Sequence, residues 1–316
     1  MTLSRIALMT AATLAVGILG LWALASRMTE ERIAQLRAER SLVETRHGML
    51  EYSVWGDGPP VLVVHGAGGG FDQGRLLAEA IAGDGFTFIS VSRFGYLGSD
   101  LPEDASTRSQ AEAFVDLLDR LELDQVHVLA MSGGVPPSLK FAELYPERAG
   151  GMVLLSSAPF TPFSPDVENR PLPTWAYSAL MGNDVAYWIL AKIARGWLRE
   201  AFDARSDLIA HASPAERDFV ERLIDGFLPA SRRLSGVNNE SAAVDPEMTY
   251  DLGAIQSRVL IIHTRDDRLN PIAVSERLSS GIGNSEFIGF ETGGHLLLGH
   301  HEEVEARLQD VFARLR

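Results

Sequence analysis

VHVLAMSGG, residues 126–134, decides the fold. Apart from His127, residues 126–131 are an apolar run of strand length, the pattern of a parallel strand covered on both faces. The run stops at Ser132, flanked by Ala130, Gly133 and Gly134, and VPPSLKFAELYPER follows at helical spacing. A solvent loop does not need three small neighbours around a serine. A cramped strand-to-helix turn that presents a hydroxyl does.

Working outward, the same grammar repeats. MLEYSVWG (Met49–Gly56) alternates like a strand and ends at the turn GDGPP. VLVVHG (Val61–Gly66), FTFISVS (Phe86–Ser92), GMVLLS (Gly151–Ser156), RVLIIH (Arg258–His263) and EFIGF (Glu286–Phe290) are further apolar strands. Between them, Thr107–Leu121 reads as an amphipathic helix with Ala111, Phe114, Val115, Leu118 and Leu121 on one side. Thr107 and Gln110 have capping-box spacing at its start. Gly133–Tyr145 reads as a helix stopped by Pro146, and Glu302–Leu315 as a closing helix. Alternation over this length predicts an α/β chain with a doubly wound, mostly parallel sheet. One region breaks it: between about residues 160 and 250, DVAYWILAKIARGWL and PAERDFVERLIDGFL predict a helical cap inserted between two core strands.

The chain has 316 residues, a net charge of −14 and no cysteine. That charge speaks against nucleic acid, which needs a basic face. The absence of cysteine removes disulfides, thiolate metal sites and thiol nucleophiles. Ile6–Ala25 carries no charge and has about the 20-residue length of a membrane-crossing helix. Residues 1–27 therefore read as a single-pass transmembrane anchor. A signal segment cleaved near Ala25 is the other reading, since Ala23-Leu24-Ala25 has the small-x-small form. The side of the membrane stays open. Residues 28–45, polar and alternating in sign, read as a helical spacer, and residues 46–316 as the α/β domain that carries the cap.

Four polar features fall at strand ends, where open α/β sheets bind ligands. They are Ser132, the run from His65 to Gly70, the pair Asp266-Asp267, and His295 in ETGGHLLLGHH. From about Arg46 onward the chain resembles the α/β-hydrolase fold family, whose nucleophile elbow is small-x-Ser-x-small. Ala130 stands where glycine is usual. The resemblance implies Ser132 as nucleophile, His295 as base and Asp267 as the acid that orients it. Thr264 and Pro271 occupy the family's glycine and proline places around Asp267, and Asp266 remains a rival. The resemblance also implies backbone N–H groups of Ala67 and Gly133 as the oxyanion hole. SRFGYLGSD (Ser92–Asp100) looks like the family's Arg-Gly-x-Gly-x-Ser turn with Phe94 intervening. His65 reads as structural, and no cofactor or metal is implied.

A serine nucleophile fits esters, amides, carbon–carbon bonds of diketones or perhydrolysis. Trp175, Tyr177, Leu180, Met181, Tyr187, Trp188, Ile189, Leu190, Ile193 and Trp197 in the cap favour an apolar or aromatic small-molecule substrate, foremost a carboxylic ester. A non-catalytic binding or signalling protein on the same scaffold is the reading from another class.

Overall fold

The computed structural model describes residues 3–158, 182–243 and 250–313; within these spans the side chains of residues 3–8, 11, 14 and 241–243 are outside the description. Trp175, Tyr177, Leu180 and Met181 lie outside the described residues.

The sheet has eight strands in the order β1-β2-β4-β3-β5-β6-β7-β8. They are β1 (Ser41–Thr45), β2 (Gly48–Gly56), β3 (Pro60–Val64), β4 (Thr87–Ser92), β5 (Val126–Met131), β6 (Ala149–Leu155), β7 (Val259–Thr264) and β8 (Ser285–Phe290). Strands β1 and β2 pair antiparallel, as do β2 and β4; every later pairing is parallel. Period-two alternation sends side chains of the central strands to two layers. Val61, Val63, Leu129, Met131, Val153 and Leu155 join one core, with α2 (Phe71–Ile81) and α11 (His301–Phe312). Leu62, Val64, Val128, Ala130, Met152 and Leu154 join the other, with α3 (Thr107–Arg120), α4 (Val135–Leu144) and α10 (Ala273–Gly281). Both faces are dry, so these strands read as apolar runs rather than alternating ones. Each fully buried aliphatic side chain contributes roughly 1.5–3 kcal/mol.

Several boundaries differ from the sequence reading. The cap of α3 is Ser106, whose side chain accepts from Ser109 N at 3.2 Å, not Thr107. Gln110 is diverted from capping because its Oε1 accepts from Phe94 N at 2.7 Å and holds the loop after β4. The helix expected from Gly133 is a 3₁₀ turn, Ser132–Gly134, leading into α4.

The largest difference is at the N-terminus. Residues 28–39 are helical as expected, but they are the end of one helix, α1 (Leu3–Glu39), that packs against the domain along one stripe, and residues 41–45 form β1 rather than spacer. Ala25, Thr29 and Leu36 are buried and Arg32 reaches Asp72 at 2.6 Å. Their spacing of four, three and four residues makes a docking stripe, hidden among alternating charges. Val43 is buried and pairs with Leu50, so the sheet begins before residue 46. Earlier on α1, Val16, Ile18, Leu19, Leu21, Trp22 and Leu24 are exposed. Among the described residues no helix is long and apolar enough to cross a membrane.

The cap consists of α5 (Asp184–Ile193), α6 (Arg195–Ala201), α7 (Ser206–His211), α8 (Pro214–Gly226) and α9 (Leu234–Ala243) in its described part. A capping box, Ser213 with Glu216, starts α8. Glu216 then accepts from Gly299 N at 2.7 Å and His301 N at 3.2 Å, tying cap to core.

A Cβ on Gly134 would lie 2.3 Å from Val64 O and 2.6 Å from His65 O. Both obstacles are backbone, which cannot swing aside. Gly134→Ala is therefore expected to cost at least about 1–3 kcal/mol, the usual range for overpacking. Urea unfolding checks it; an unchanged midpoint would mean β3 and the elbow are not in contact.

Candidate active site

Strand β5 delivers Ser132 into a left-handed conformation, φ 51°, which a side-chain-bearing residue adopts only when its surroundings enforce it. Gly134 allows the following turn to press on the carbonyls of β3, and Ala130, fully buried, keeps the strand before it slim. Gly66 faces Ser132 directly: a Cβ there would stand 3.1 Å from Ser132 Cβ and 3.7 Å from its Oγ.

At the end of β7, Asp267 receives four N–H donors. His295 Nδ1 is at 2.9 Å from its Oδ2 and His263 Nε2 at 3.1 Å; Leu269 N and Asn270 N reach Oδ1 at 2.8 and 2.9 Å. Burial alone would raise this carboxyl, but the His295 charge and these bonds hold it well below the ordinary carboxylate range. Burial would likewise lower His295, yet the Asp267 carboxylate overrides it and the imidazole pKa is raised. His263 Nε2 faces acceptors only, Asp267 and Asn270 O, so that nitrogen carries a proton. Asp266 takes no part: it binds Arg205 and accepts from Gly294 N at 2.9 Å. Thr264, in the family's glycine place, donates to Gly294 O at 2.9 Å and braces the histidine loop.

Asn270 is a site residue that the sequence reading missed. It is 1% exposed, and its Nδ2 donates to Ser132 Oγ at 3.2 Å and to Ser156 O at 2.8 Å. The Ser156 carbonyl can only accept, which fixes the amide orientation. Among the described residues Ser132 Oγ bonds to Asn270 and not to His295. The hydroxyl oxygen is thus an acceptor here, leaving its own proton free for a base. A polar amide immediately before Pro271 in a strand-end loop was the available signal.

The loop after β3 is braced from behind. His65 Nδ1 lies 2.6 Å from Gly66 O, and its Nε2 accepts from Arg93 N at 3.0 Å. Burial, with Arg93 nearby, pushes its pKa well below the ordinary histidine value, so it stays neutral and structural. The Tyr96 hydroxyl accepts from Gly68 N at 3.2 Å. These contacts carry Ala67 N to within 3.3 Å of where a Gly133 Cβ would stand, so the loop after β3 and the turn after Ser132 are in close contact. Among the described residues no group of three or more His, Cys, Asp or Glu is placed to hold a metal ion.

A mostly parallel sheet, a strained serine after its fifth strand, and a histidine–carboxylate pair beyond its last two strands define a hydrolase architecture. The chain belongs to the α/β hydrolase fold family, whose model matches residues 59–302. It is similar to 2-hydroxy-6-oxononadienedioate/2-hydroxy-6-oxononatrienedioate hydrolase 2 of Pseudomonas putida, 30% identical over 276 residues, 82% of this chain and 89% of the relative. A 2-hydroxy-6-oxo-6-phenylhexa-2,4-dienoate hydrolase of Comamonas testosteroni is 26% identical over 85% of this chain and 92% of its own. Among solved structures, an alpha/beta hydrolase fold protein from Nakamurella multipartita superposes with a TM-score of 0.76 at 25% identity, covering 86% of this chain and 98% of that one. Hydrolase is the class these relatives support.

Two outcomes follow from the geometry. His295 is the expected base, which must be neutral to take a proton, and Asp267 raises its pKa above the ordinary value of about 6.5. Activity should therefore rise with pH through a midpoint above 6.5, and Asp267→Asn should move that midpoint down; a pH profile of kcat/KM reads both. Asn270→Val, which removes the donor to Ser132 Oγ, should lower kcat about 10–100-fold, the equivalent of roughly 1.5–3 kcal/mol. An equal loss confined to KM would place Asn270 in substrate binding instead.

Proposed function

We propose that this chain is a serine hydrolase that cleaves carboxylic esters of apolar or aromatic small molecules through an acyl-enzyme. The observation that carries the reading is a strained serine and a carboxylate-paired histidine at the strand ends of one sheet, with the loop of Ala67 packed close against Gly133. Ser132 Oγ attacks the carbonyl carbon while His295 takes its proton. The N–H groups of Ala67 and Gly133 stabilise the negative charge on the carbonyl oxygen. His295 then returns the proton to the departing alcohol oxygen, and water, activated by the same imidazole, frees the acid and regenerates Ser132. Asp267 keeps the Nδ1 proton in place and compensates the imidazolium. No cofactor enters any step.

Apolar substrates are supported by the cap above the oxyanion loop. A Cβ on Gly68 would stand 2.7 Å from the Phe227 ring, which stacks with Tyr187 at 5.2 Å and meets Phe202 edge-on at 5.5 Å. A second reading, cleavage of a carbon–carbon bond beside a ketone, is favoured by the named substrates of the relatives. Acyl-chain and diketone profiling separates the two.

The proposal includes membrane attachment through α1. Residues 6–25 carry no charge, and the described large apolar side chains of that stretch are exposed. An uncharged helical stretch that turns large apolar side chains outward is favoured by apolar surroundings. Removal of the segment by cleavage near Ala25, with export, is the other route; N-terminal sequencing of the mature protein distinguishes them.

Ser132→Ala should cut ester hydrolysis by about 10³-fold or more. A fluorophosphonate should label Ser132 in the wild type, with labelling strongly slowed in His295→Ala, as located by peptide mass spectrometry. A folded protein that hydrolyses esters unchanged without Ser132 would sink the mechanism.

A further inference from the structure

The space beside the proposed oxyanion donors is occupied by charge. A Cβ on Gly133 would stand 2.5 Å from Glu240 Oε2, 3.3 Å from Arg93 Nη2 and 3.3 Å from Ala67 N. Both charged side chains are buried, Glu240 to 8% and Arg93 to 5% exposure. Arg93 Nη2 and the Tyr96 hydroxyl both donate to Glu240 Oε1, and the guanidinium lies 5.2 Å over the Tyr96 ring. Arg93 Nε is buried without a partner among the described residues.

Contacts of the cap put the carboxylate there. Helix α9 is seated on the loop after β4: Gly236 N donates to Gly95 O at 3.0 Å, and Leu97 N to Arg232 O at 2.8 Å. One turn along the helix from Gly236, Glu240 projects over the residue that follows the nucleophile. Gly133 leaves the room it needs, because any side chain at that position would meet the carboxylate.

Resting on the serine-hydrolase reading, we propose that Glu240 is a specificity residue. By neutralising Arg93 beside the oxyanion hole, it selects substrates that are uncharged next to the scissile carbonyl and rejects those with a carboxylate there. A buried guanidinium at this place would otherwise attract a substrate anion strongly, since its charge is poorly screened. With Glu240 present the cation is already matched. An incoming carboxylate meets a like charge and loses its own hydration without gaining a partner. The Pseudomonas putida relative is named for a dioate, a substrate with two carboxylates; Glu240 would set this chain's substrates apart from such compounds.

The test compares kcat/KM of the full-length protein for p-nitrophenyl butyrate and p-nitrophenyl hemisuccinate, which differ by a terminal methyl against a carboxylate. Fluorophosphonate labelling of Ser132 is measured in parallel. The wild type should prefer the butyrate by about 100-fold, in line with a like-charge contact. Glu240→Gln exposes the Arg93 charge, and that preference should shrink about 10-fold or more. The double variant Arg93→Met/Glu240→Leu removes both charges, and its preference should return towards the wild-type side. Equal turnover of both esters by a labelled wild type would overturn the charge proposal alone, as would one shared ratio in the single and double variants. Should the variants fail to fold, the wild-type ratio decides. An unlabelled Ser132 with neither ester hydrolysed would bring down the serine-hydrolase reading and this proposal with it.

Discussion

The four N–H donors that converge on the Asp267 carboxylate are the constraint on which the rest of the site depends. Two belong to the backbone of its own turn, one to His263 at the end of β7 and one to His295 beyond β8. With each oxygen accepting two hydrogen bonds and no exposure of the side chain, protonation would forfeit a donor's partner and leave it buried. The carboxylate therefore stays charged, and its charge sets the tautomer and the basicity of His295. The same turn positions Asn270, which reaches across to Ser132 and Ser156. Ser156 in turn donates to His295 O at 2.8 Å. Strands β5, β6 and β7 thus end in one closed circuit of hydrogen bonds, and a shift at any end would be felt at Ser132.

The cap is held over this circuit by two buried arginines. Arg233 is fully buried, and its five donors are all met: Phe227 O, Gly69 O, Gly226 O and both oxygens of Asp72. It joins the cap to the oxyanion loop and to the start of α2, where Arg32 of α1 binds the same Asp72. Arg205 binds Asp203 and Asp266, and Asp203 accepts from His295 N at 2.9 Å. Buried pairs of this kind add little net stability, because desolvation offsets most of their attraction. Their geometric demands are strict, so they fix where the cap sits. That position is what brings Glu240 over Gly133 and Phe227 over Gly68.

The core was legible because each central strand is covered on both faces. Continuous apolar runs ending at glycine or a polar residue mark such strands, and the strand ends drew attention to Ser132, the pair Asp266-Asp267 and His295 before any packing was known. What escaped was set by contacts distant in sequence. The polar face of α1 hides the stripe of Ala25, Thr29, Arg32 and Leu36 because its partners, Asp72 and the cap, lie more than thirty residues away. Strand β1 has the sequence SLVET, five residues with one buried aliphatic, too short to stand out before its pairing with β2 is known. Gln110 looked like a capping partner because nothing local reveals that Phe94 N will need an acceptor.

Glu240 illustrates a limit of motif reading. A catalytic elbow is recognised by its small residues, and Gly133 satisfies that pattern whatever fills the space it leaves. The glycine has two consequences that sequence cannot separate: a backbone N–H free to face an oxyanion, and a vacancy into which a residue more than a hundred positions later can reach. Because Arg93 belongs to the loop braced by His65 and Tyr96, its charge is fixed in place before any substrate arrives. On the proposal made for Glu240, electrostatic selectivity would then depend on the cap, the part of the chain whose strand-free pattern is least constrained by the sheet. On the same proposal, variation of the cap around an unchanged circuit of Ser132, Asn270, Asp267 and His295 would be a physical route by which one scaffold takes anionic substrates in one protein and neutral ones in another.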